Sequence, residues 1–449
     1  MQQFRFIFFF LCFTSISIAQ EDILEKYVQQ GLSNNLALKQ KQFSFEQSME
    51  ALKQARGLFL PTVNIEARYS RSGGGRVIEI PIGDLMNPVY GSLNQLIGQP
   101  VFPTDLPNER IPFLREKEHD TKIRVIQPLF QAPIYYNYKI QSDLKQIESA
   151  AVGIYKQQLT EDIQTAYFTY LKAHHVVDLF QKTLALVNEN LRVSEKLVQN
   201  SQATEDIVFR ARAERSAVEQ NLLDAGKNEK IAAAYFNFLL NQPLDTPIVI
   251  IDDSWQPRES QFTLEEAQTA ALANRLEFRQ LTSAIGAADN TVRLNTGSFL
   301  PGISGVFDYG FQGEEYQFTE KDDYWMASLV LQWNLFHGFQ DKSKITSARL
   351  ERNKITAQLD ELTNQIKLQV QDAFDNLTVA RQAIVSANER LASARNSFRI
   401  VTRKYEQGMA PQIEYLDART TYTNAEVNYI ISKFDYFIKY AHLERVVAR

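Results

Sequence analysis

Residues 370–405 read VQDAFDNLTVARQAIVSANERLASARNSFRIVTRKY, and this stretch decides the fold. Its apolar residues are spaced three and four apart in alternation, which is the heptad pattern of a long packed helix. One of the two core positions is large, whereas the other is alanine four times in succession, at Ala373, Ala380, Ala387 and Ala394. Because small side chains let helix axes approach closely, the pattern predicts helices packed tightly side by side.

The length of this helix sets it apart from the helices of compact domains. The helical pattern extends from about Gly338 to Gln407, and a helix of about 70 residues is roughly 100 Å long. Ile163 begins a similar seam in the first half of the chain, which continues to Val198. The sequence therefore predicts two very long helices, each followed by a shorter one.

The N-terminal segment predicts that the protein is exported from the cytoplasm. The first 19 residues have a basic start at Arg5, an apolar run over 6–13 and a small-residue end at Ala19, which predicts a signal peptide. The one cysteine, Cys12, lies inside that segment, so the mature chain is expected to lack thiol chemistry. The chain has 48 basic and 53 acidic residues, a balance that does not indicate a nucleic-acid partner.

Four segments have the period-two alternation of β-strands with one apolar and one polar face. They cover about 62–71, 122–130, 302–312 and 324–336. The intervening 71–121 is rich in glycine and proline and is interpreted as a long loop. About ten alternating residues suit a tilted strand between lipid and water, although a soluble sandwich with its apolar face inward has the same pattern.

The number of strands needed to close a barrel distinguishes the membrane interpretation from the soluble one. Strands in lipid cannot leave an edge unpaired, and four strands are too few to close a barrel. If the strands cross a membrane, several chains must therefore contribute to one barrel. In that arrangement Tyr69, Trp325 and Trp333 would form a lipid-facing aromatic belt at the membrane interfaces.

The chain contains an internal duplication of helix, strand, strand, helix and helix. The predicted domains are the signal peptide 1–19, a first repeat 20–242, a connector 243–262 and a second repeat 263–449. Gly297, Phe299, Leu300 and Pro301 reproduce Gly57, Phe59, Leu60 and Pro61, and Ala418-Arg419 matches Ala211-Arg212.

Short motifs accompany the strands and the far turn of the chain. They are Phe59-Leu60-Pro61, Phe299-Leu300-Pro301, Gln127-Pro128-Leu129-Phe130, Trp333-Asn334-Leu335-Phe336 and Tyr405…Gly408…Leu416…Ala418. With these motifs, the signal segment and the duplication, the sequence resembles the TolC-like outer-membrane efflux proteins. The resemblance covers the whole mature chain.

The resemblance implies a mixed α and β fold assembled as a homotrimer. Four strands from each of three chains would form one outer-membrane β-barrel, and the long helices would continue it as a coiled-coil barrel across the periplasm. Such proteins have no cofactor and catalyse no reaction. Their partners are outer-membrane lipid, a periplasmic adaptor protein and an inner-membrane pump.

The resemblance also places functional residues at the far turn of the long helices. It implies a pore constriction at Tyr405, Glu414 and Asp417, with an adaptor-docking tip at Ser201, Gln202, Gly408, Met409, Ala410 and Pro411. Three positions depart from the family pattern. Ala410 occupies the place of the arginine that holds the closed state, Ser201 replaces the usual glycine, and Ile207 occupies an acidic position.

No pattern indicates an enzyme or a metal site. His174 and His175 are adjacent on a helix and point in different directions, and Gly73-Gly74-Gly75 lacks the lysine of a phosphate-binding loop. Two alternatives to an efflux duct remain. A type I protein-secretion duct would have the same architecture, and a soluble periplasmic coiled-coil scaffold would keep its strands out of lipid.

Overall fold

A computed structural model describes residues 23–250 and 263–448. The predicted signal peptide and residues 251–262 of the connector lie outside these ranges. The described part divides into two compact units. The first comprises residues 23–48, 144–250, 263–285 and 353–448, and the second comprises residues 49–143 and 286–352.

Helices account for most of the described residues. In chain order they are α1 Ile23–Asn34, α2 Leu36–Gly57, α3 Ile82–Ile97, α4 Ala132–Gln199, α5 Asp206–Leu239, α6 Leu264–Asn274, α7 Leu276–Gly297, α8 Gln340–Glu406 and α9 Gln412–Val447. The strands are β1 Thr62–Arg71, β2 Val77–Ile80, β3 Glu109–Pro112, β4 Lys117–Phe130, β5 Gly302–Gly313 and β6 Asp323–Gln332. None of the helices in the described ranges is both long and apolar enough to cross a membrane.

The core of the first unit contains the heptad positions predicted from the sequence. Val370, Ala373 and Leu377 of α8 are buried beside Ile163 of α4 and Phe236 of α5. Fully burying a valine or leucine side chain contributes about 1.5–3 kcal/mol. The alternation of large and small residues in the sequence therefore marks the packed face of α8.

The first helical region of the chain has a break at Asn35, between α1 and α2. The Asn35 side chain accepts a hydrogen bond from the Leu38 N–H and donates one to the Leu239 carbonyl oxygen. Arg275 breaks the second repeat at the matching place and donates to the Val446 carbonyl oxygen. The side chain at each break thus ties a new helix start to the end of a distant helix.

The second unit contains a four-stranded antiparallel sheet in the order β1-β4-β5-β6. Its central pair joins β4 of the first repeat to β5 of the second. The register places Ile65 opposite Ile123, Ile123 opposite Tyr309 and Tyr309 opposite Trp325. Directly opposed residues share a face, so these residues and most other apolar residues of the four strands lie on one side of the sheet, the apolar face. Ile126, Val306, Met326 and Val330 lie on the other side.

Two details of the second unit correct the sequence interpretation. Residues 71–121 are not a featureless loop, because they contain the β2–β3 hairpin and α3. The helix α3 was not predicted because it contains Gly83, Pro88 and Gly91, and glycine and proline are unfavourable inside helices. The last strand ends at Gln332, four residues before its predicted end, so Trp333 follows the strand.

Candidate functional site

The far turns of both repeats have the same backbone conformation. Ser201 has φ of 56° and Gly408 has φ of 71°, which places both in the left-handed region. The hydrogen bonds also match, since Gln202 N–H donates to the Leu197 carbonyl and Met409 N–H donates to the Lys404 carbonyl. Each turn is therefore a Schellman-type helix end. Ser201 makes this turn without the glycine that favours it.

We expect Ser201→Gly to stabilise the protein and Gly408→Ser to destabilise it. A residue with a Cβ atom loses about 1 kcal/mol in the left-handed region relative to glycine. Each substitution should therefore change the free energy of unfolding by about 1 kcal/mol, with opposite signs. Denaturant unfolding of the detergent-solubilised protein measures both changes, and changes of the same sign would contradict the shared turn geometry.

Tyr405 lies in a column of aromatic rings between α8 and α9. Its ring stacks on Tyr415 with a centroid distance of 4.9 Å, and Phe398 lies 5.6 Å from both Tyr415 and Tyr422. Burial raises the pKa of Tyr405, while the nearby Asn190 side chain of α4 opposes this shift. The column fixes the ends of α8 and α9 against each other.

Glu414 and Asp417 lie in the first two turns of α9, and both are exposed. A carboxylate in the first turn of a helix is favoured by the helix dipole. Neither carboxylate forms an ion pair with another residue of the described ranges. These side chains are free to interact with ions or with another chain.

The residues predicted to form the docking tip differ in their exposure. Ser201, Gln202, Gly408 and Pro411 lie near or at the surface, and Met409 is 66% exposed. Ala410 is only 7% exposed. Its methyl group packs inside the protein and offers little surface for docking.

Sequence reasoning missed Gln412, the first residue of α9. This side chain is buried, and its Nε2 donates to the Ile207 carbonyl oxygen at 3.0 Å and to Ser194 Oγ at 3.3 Å. These bonds join α9 to α4 and to the start of α5. A glutamine next to a helix start carries no sequence signal for such a role.

The sequence also gives no signal for the buried environment of Arg419. It is 2% exposed, and its Nη2 lies 3.4 Å from Oε1 of Glu214 in α5. Its Nε and Nη1 are buried without a hydrogen-bond partner in the described part of the chain, and burial lowers the pKa of its guanidinium. The matching Arg212 is exposed and pairs with Glu195. We call Gln412 and Arg419 together the α9 anchor.

The sheet has strongly contrasting faces. Side chains on the apolar face are largely exposed, including Ile65 at 77% and Leu329 at 72%. On the other face Arg124 forms two hydrogen bonds of 2.8 Å with Asp308 and an ion pair with Glu66. Within one chain, the side chains of this charged cluster are therefore less exposed than those of the apolar face.

The three residues predicted to form the aromatic belt occupy different ends of this sheet. Tyr69 is near the end of β1, and Trp325 is near the start of β6, so both lie at the end away from the long helices. Trp333 lies at the other end, where its indole N–H donates to the Phe299 carbonyl oxygen. All three side chains are more than half exposed.

No group of three or more histidine, cysteine, aspartate or glutamate side chains in residues 23–250 and 263–448 has the arrangement of a metal site. Several charged side chains of these ranges instead form ion pairs, some within one helix and some between helices. His442 and Arg445 of α9, for example, both contact Glu161 of α4. These two pairs connect α9 to α4.

Comparison with known proteins agrees with this geometry. Residues 268–449 match the family model described as outer membrane efflux protein. The chain is 20% identical to outer membrane protein TolC of Salmonella enteritidis over 96% of this chain and 82% of that protein. It is 19% identical to alkaline protease secretion protein AprF of Pseudomonas aeruginosa over 74% of this chain and 70% of that protein.

Solved structures show the same fold. The Campylobacter jejuni CmeC outer membrane channel aligns with a TM-score of 0.76 at 15% identity, covering 95% of this chain and 85% of that chain. The solved structures of OprN and CmeC are both described as outer-membrane channels. The chain therefore resembles the TolC-like outer-membrane efflux proteins over most of its length, and these likenesses indicate the cell outer membrane as its location.

Proposed function

We propose that the protein is a trimeric exit duct of a tripartite efflux system. Three chains would contribute four strands each to one barrel in the outer membrane, and α4, α5, α8 and α9 would form a hollow tube in the periplasm. The duct itself would be passive. An inner-membrane pump, connected by a periplasmic adaptor, would supply the energy for transport.

The exposed apolar face of the sheet is the observation that carries this proposal. A soluble sandwich would bury such a face, whereas here Ile65, Trp325 and Leu329 are exposed in the chain. The edge strands β1 and β6 each pair with one neighbour only within the described sheet. Lipid would cover the apolar face, and β6 of one chain would pair with β1 of the next.

The α9 anchor offers a way to hold the periplasmic end closed. Family members use an arginine at the position of Ala410, which cannot form the same contacts here. Gln412 and Arg419 connect α9 to α4 and α5 within one chain. Opening would require the α8–α9 hairpin to separate from α4 and α5 and would break these contacts.

Glu414 and Asp417 would form the constriction. Three copies would place six carboxylates around one axis, and such a ring attracts cations and repels anions. Tyr405 lies in the aromatic column between α8 and α9, so it would hold the start of α9, which carries the two carboxylates, in place. The exposed docking positions, Met409 above all, would face the adaptor.

We expect Glu414→Gln combined with Asp417→Asn to reduce the cation selectivity of the channel. The substitutions remove the charge and nearly keep the side-chain size, so the fold should not change. Reversal potentials in planar bilayers under a salt gradient measure the effect. Glu265→Gln, which removes an exposed carboxylate at the start of α6, is the matched control. An unchanged reversal potential in the double variant would exclude these residues from the constriction.

A type I secretion duct is the second candidate function, since the relative AprF is named for secretion of a protease. The same channel would then conduct polypeptides. Deleting the protein from its own cells distinguishes the two. Increased sensitivity to small toxic compounds supports efflux, whereas loss of a polypeptide from the culture medium supports secretion.

The experiment that tests the assembly is the mass of detergent-extracted protein from separated inner and outer membranes. A particle of three chains from the outer membrane is expected. A monomer or dimer would contradict the shared barrel. Mass photometry or light scattering with correction for bound detergent gives the number of chains directly.

A further inference from the structure

The segment between β1 and β4 is a small ordered subdomain that contains secondary structure of its own. Residues 72–116 leave β1 at the end opposite α2 and return to β4 at the end opposite α4. In the proposed duct the long helices extend into the periplasm, so this segment would face the outside of the cell. It contains the β2–β3 hairpin and the 16-residue helix α3.

One face of α3 is fixed to the segment that follows it. Asn87 donates to the Leu106 carbonyl oxygen at 3.0 Å and accepts from its N–H at 2.9 Å. Asn94 forms the same pair of bonds with Phe102. Gly83 packs so closely that a Cβ atom there would lie 2.1 Å from the Leu106 carbonyl oxygen. The orientation of α3 is therefore set by several independent contacts.

The opposite face of α3 is apolar and uncovered. We call Ile82, Leu85, Val89 and Leu96 the α3 stripe, since their spacing places them along one side of the helix. All four are exposed, and Leu96 is 83% exposed. Asp84 is the one charged residue of α3. A rigidly held apolar stripe of this kind is typical of a surface that another element covers.

Charge argues against a lipid surface as the cover. Helices that lie on anionic membranes carry lysine and arginine on their polar face, whereas α3 contains neither. Residues 72–116 have three arginines and five carboxylates, so their net charge is negative. This segment would be repelled by an anionic lipid headgroup layer.

The position of the segment favours copies of the same chain. The segment follows directly after β1, which is an edge strand of the sheet. In the proposed assembly the next chain pairs with this edge. Twelve strands about 4.8 Å apart and tilted by about 40° enclose a ring with a radius of roughly 12 Å. A helix of 16 residues is about 24 Å long and can reach the centre of that ring.

We propose that the α3 stripes of three copies pack against one another across the threefold axis and cover the exterior mouth of the duct. This inference rests on the proposed trimer. The stripes are uncharged, so identical copies can meet without electrostatic repulsion. The cap would separate the duct from the outside medium until a substrate arrives from the periplasmic side.

Cysteine cross-linking tests the cap. The chain has a single native cysteine, Cys12, in the predicted signal peptide, so Leu96→Cys introduces a unique thiol into the mature chain. The matched control is Gln95→Cys, an exposed neighbour on the flank of α3. Outer membranes carrying either variant are oxidised with copper phenanthroline, and disulfide-linked dimers are counted after denaturing electrophoresis.

We expect at least tenfold more cross-linked dimer from Leu96→Cys than from Gln95→Cys. A protein that extracts as a trimer but forms no such cross-link would overturn the cap and leave the proposed duct intact. A nitroxide attached at position 96 that is relaxed by oxygen as a lipid-exposed label would also overturn it. Extraction as a monomer would instead contradict the proposed function itself.

Discussion

Replacing Leu329 with arginine should remove the trimer from the outer membrane, whereas replacing Ser328 with arginine should leave it there. Leu329 is 72% exposed on the apolar face of β6. An arginine in the lipid-facing part of a barrel strand costs about 2–4 kcal/mol, so three copies would cost about 6–12 kcal/mol in one trimer. This loss is comparable to the whole stability of a typical domain.

The adjacent Ser328 is the matched control because successive residues of a strand point to opposite faces. Its substitution adds the same charge on the polar face, where Arg124 and Asp308 already lie. The trimer in outer-membrane extracts is quantified by native electrophoresis for both variants. Equal yields would mean that the exposed apolar face does not contact lipid.

Replacing Glu214 with alanine should open the periplasmic end of the duct. The substitution leaves the guanidinium of Arg419, which is 2% exposed, without its carboxylate partner. Breaking a buried pair on one side costs about 3–5 kcal/mol. Since Glu214 is partly exposed, we expect about 2 kcal/mol here. A shift of that size favours the separated hairpins by a factor of more than ten.

The first repeat provides the control for this prediction. Glu195→Ala removes the partner of Arg212, which is the matching arginine, but that pair is exposed. Exposed pairs contribute at most about 1 kcal/mol, so Glu195→Ala should have little effect. Open probability in planar bilayers measures both variants. An effect of Glu195→Ala as large as that of Glu214→Ala would exclude a special role for the buried pair.

The long helices and the two-faced strands of one chain were predictable from the sequence because they depend on periodic patterns. The heptad seam that contains Val370 and Ala373 predicts the packed face of α8, and these residues are buried. Alternation along Val63 to Tyr69 likewise predicts a two-faced strand. A periodic pattern remains recognisable when single residues deviate from it. It can therefore be identified without knowing which other segments pack against the helix or strand.

The helix α3 and the burial of Arg419 were not predictable from periodic patterns. α3 contains Gly83, Pro88 and Gly91, and it is stabilised by contacts with residues more than ten positions away. Arg419 and Arg212 occupy matching positions, yet one is buried and the other exposed. Only the surrounding helices decide that difference.

The order of the sheet has a consequence for symmetry. Within the chain, β4 and β5 pair the second strand of one repeat with the first strand of the other. In a closed ring of three chains, β6 and β1 would form the equivalent pair between neighbours. The ring would thus have six nearly equivalent junctions, of which three lie inside a polypeptide. Gene duplication lets such a pseudo-sixfold ring carry features that occur three times, including the exterior cap and the buried arginine.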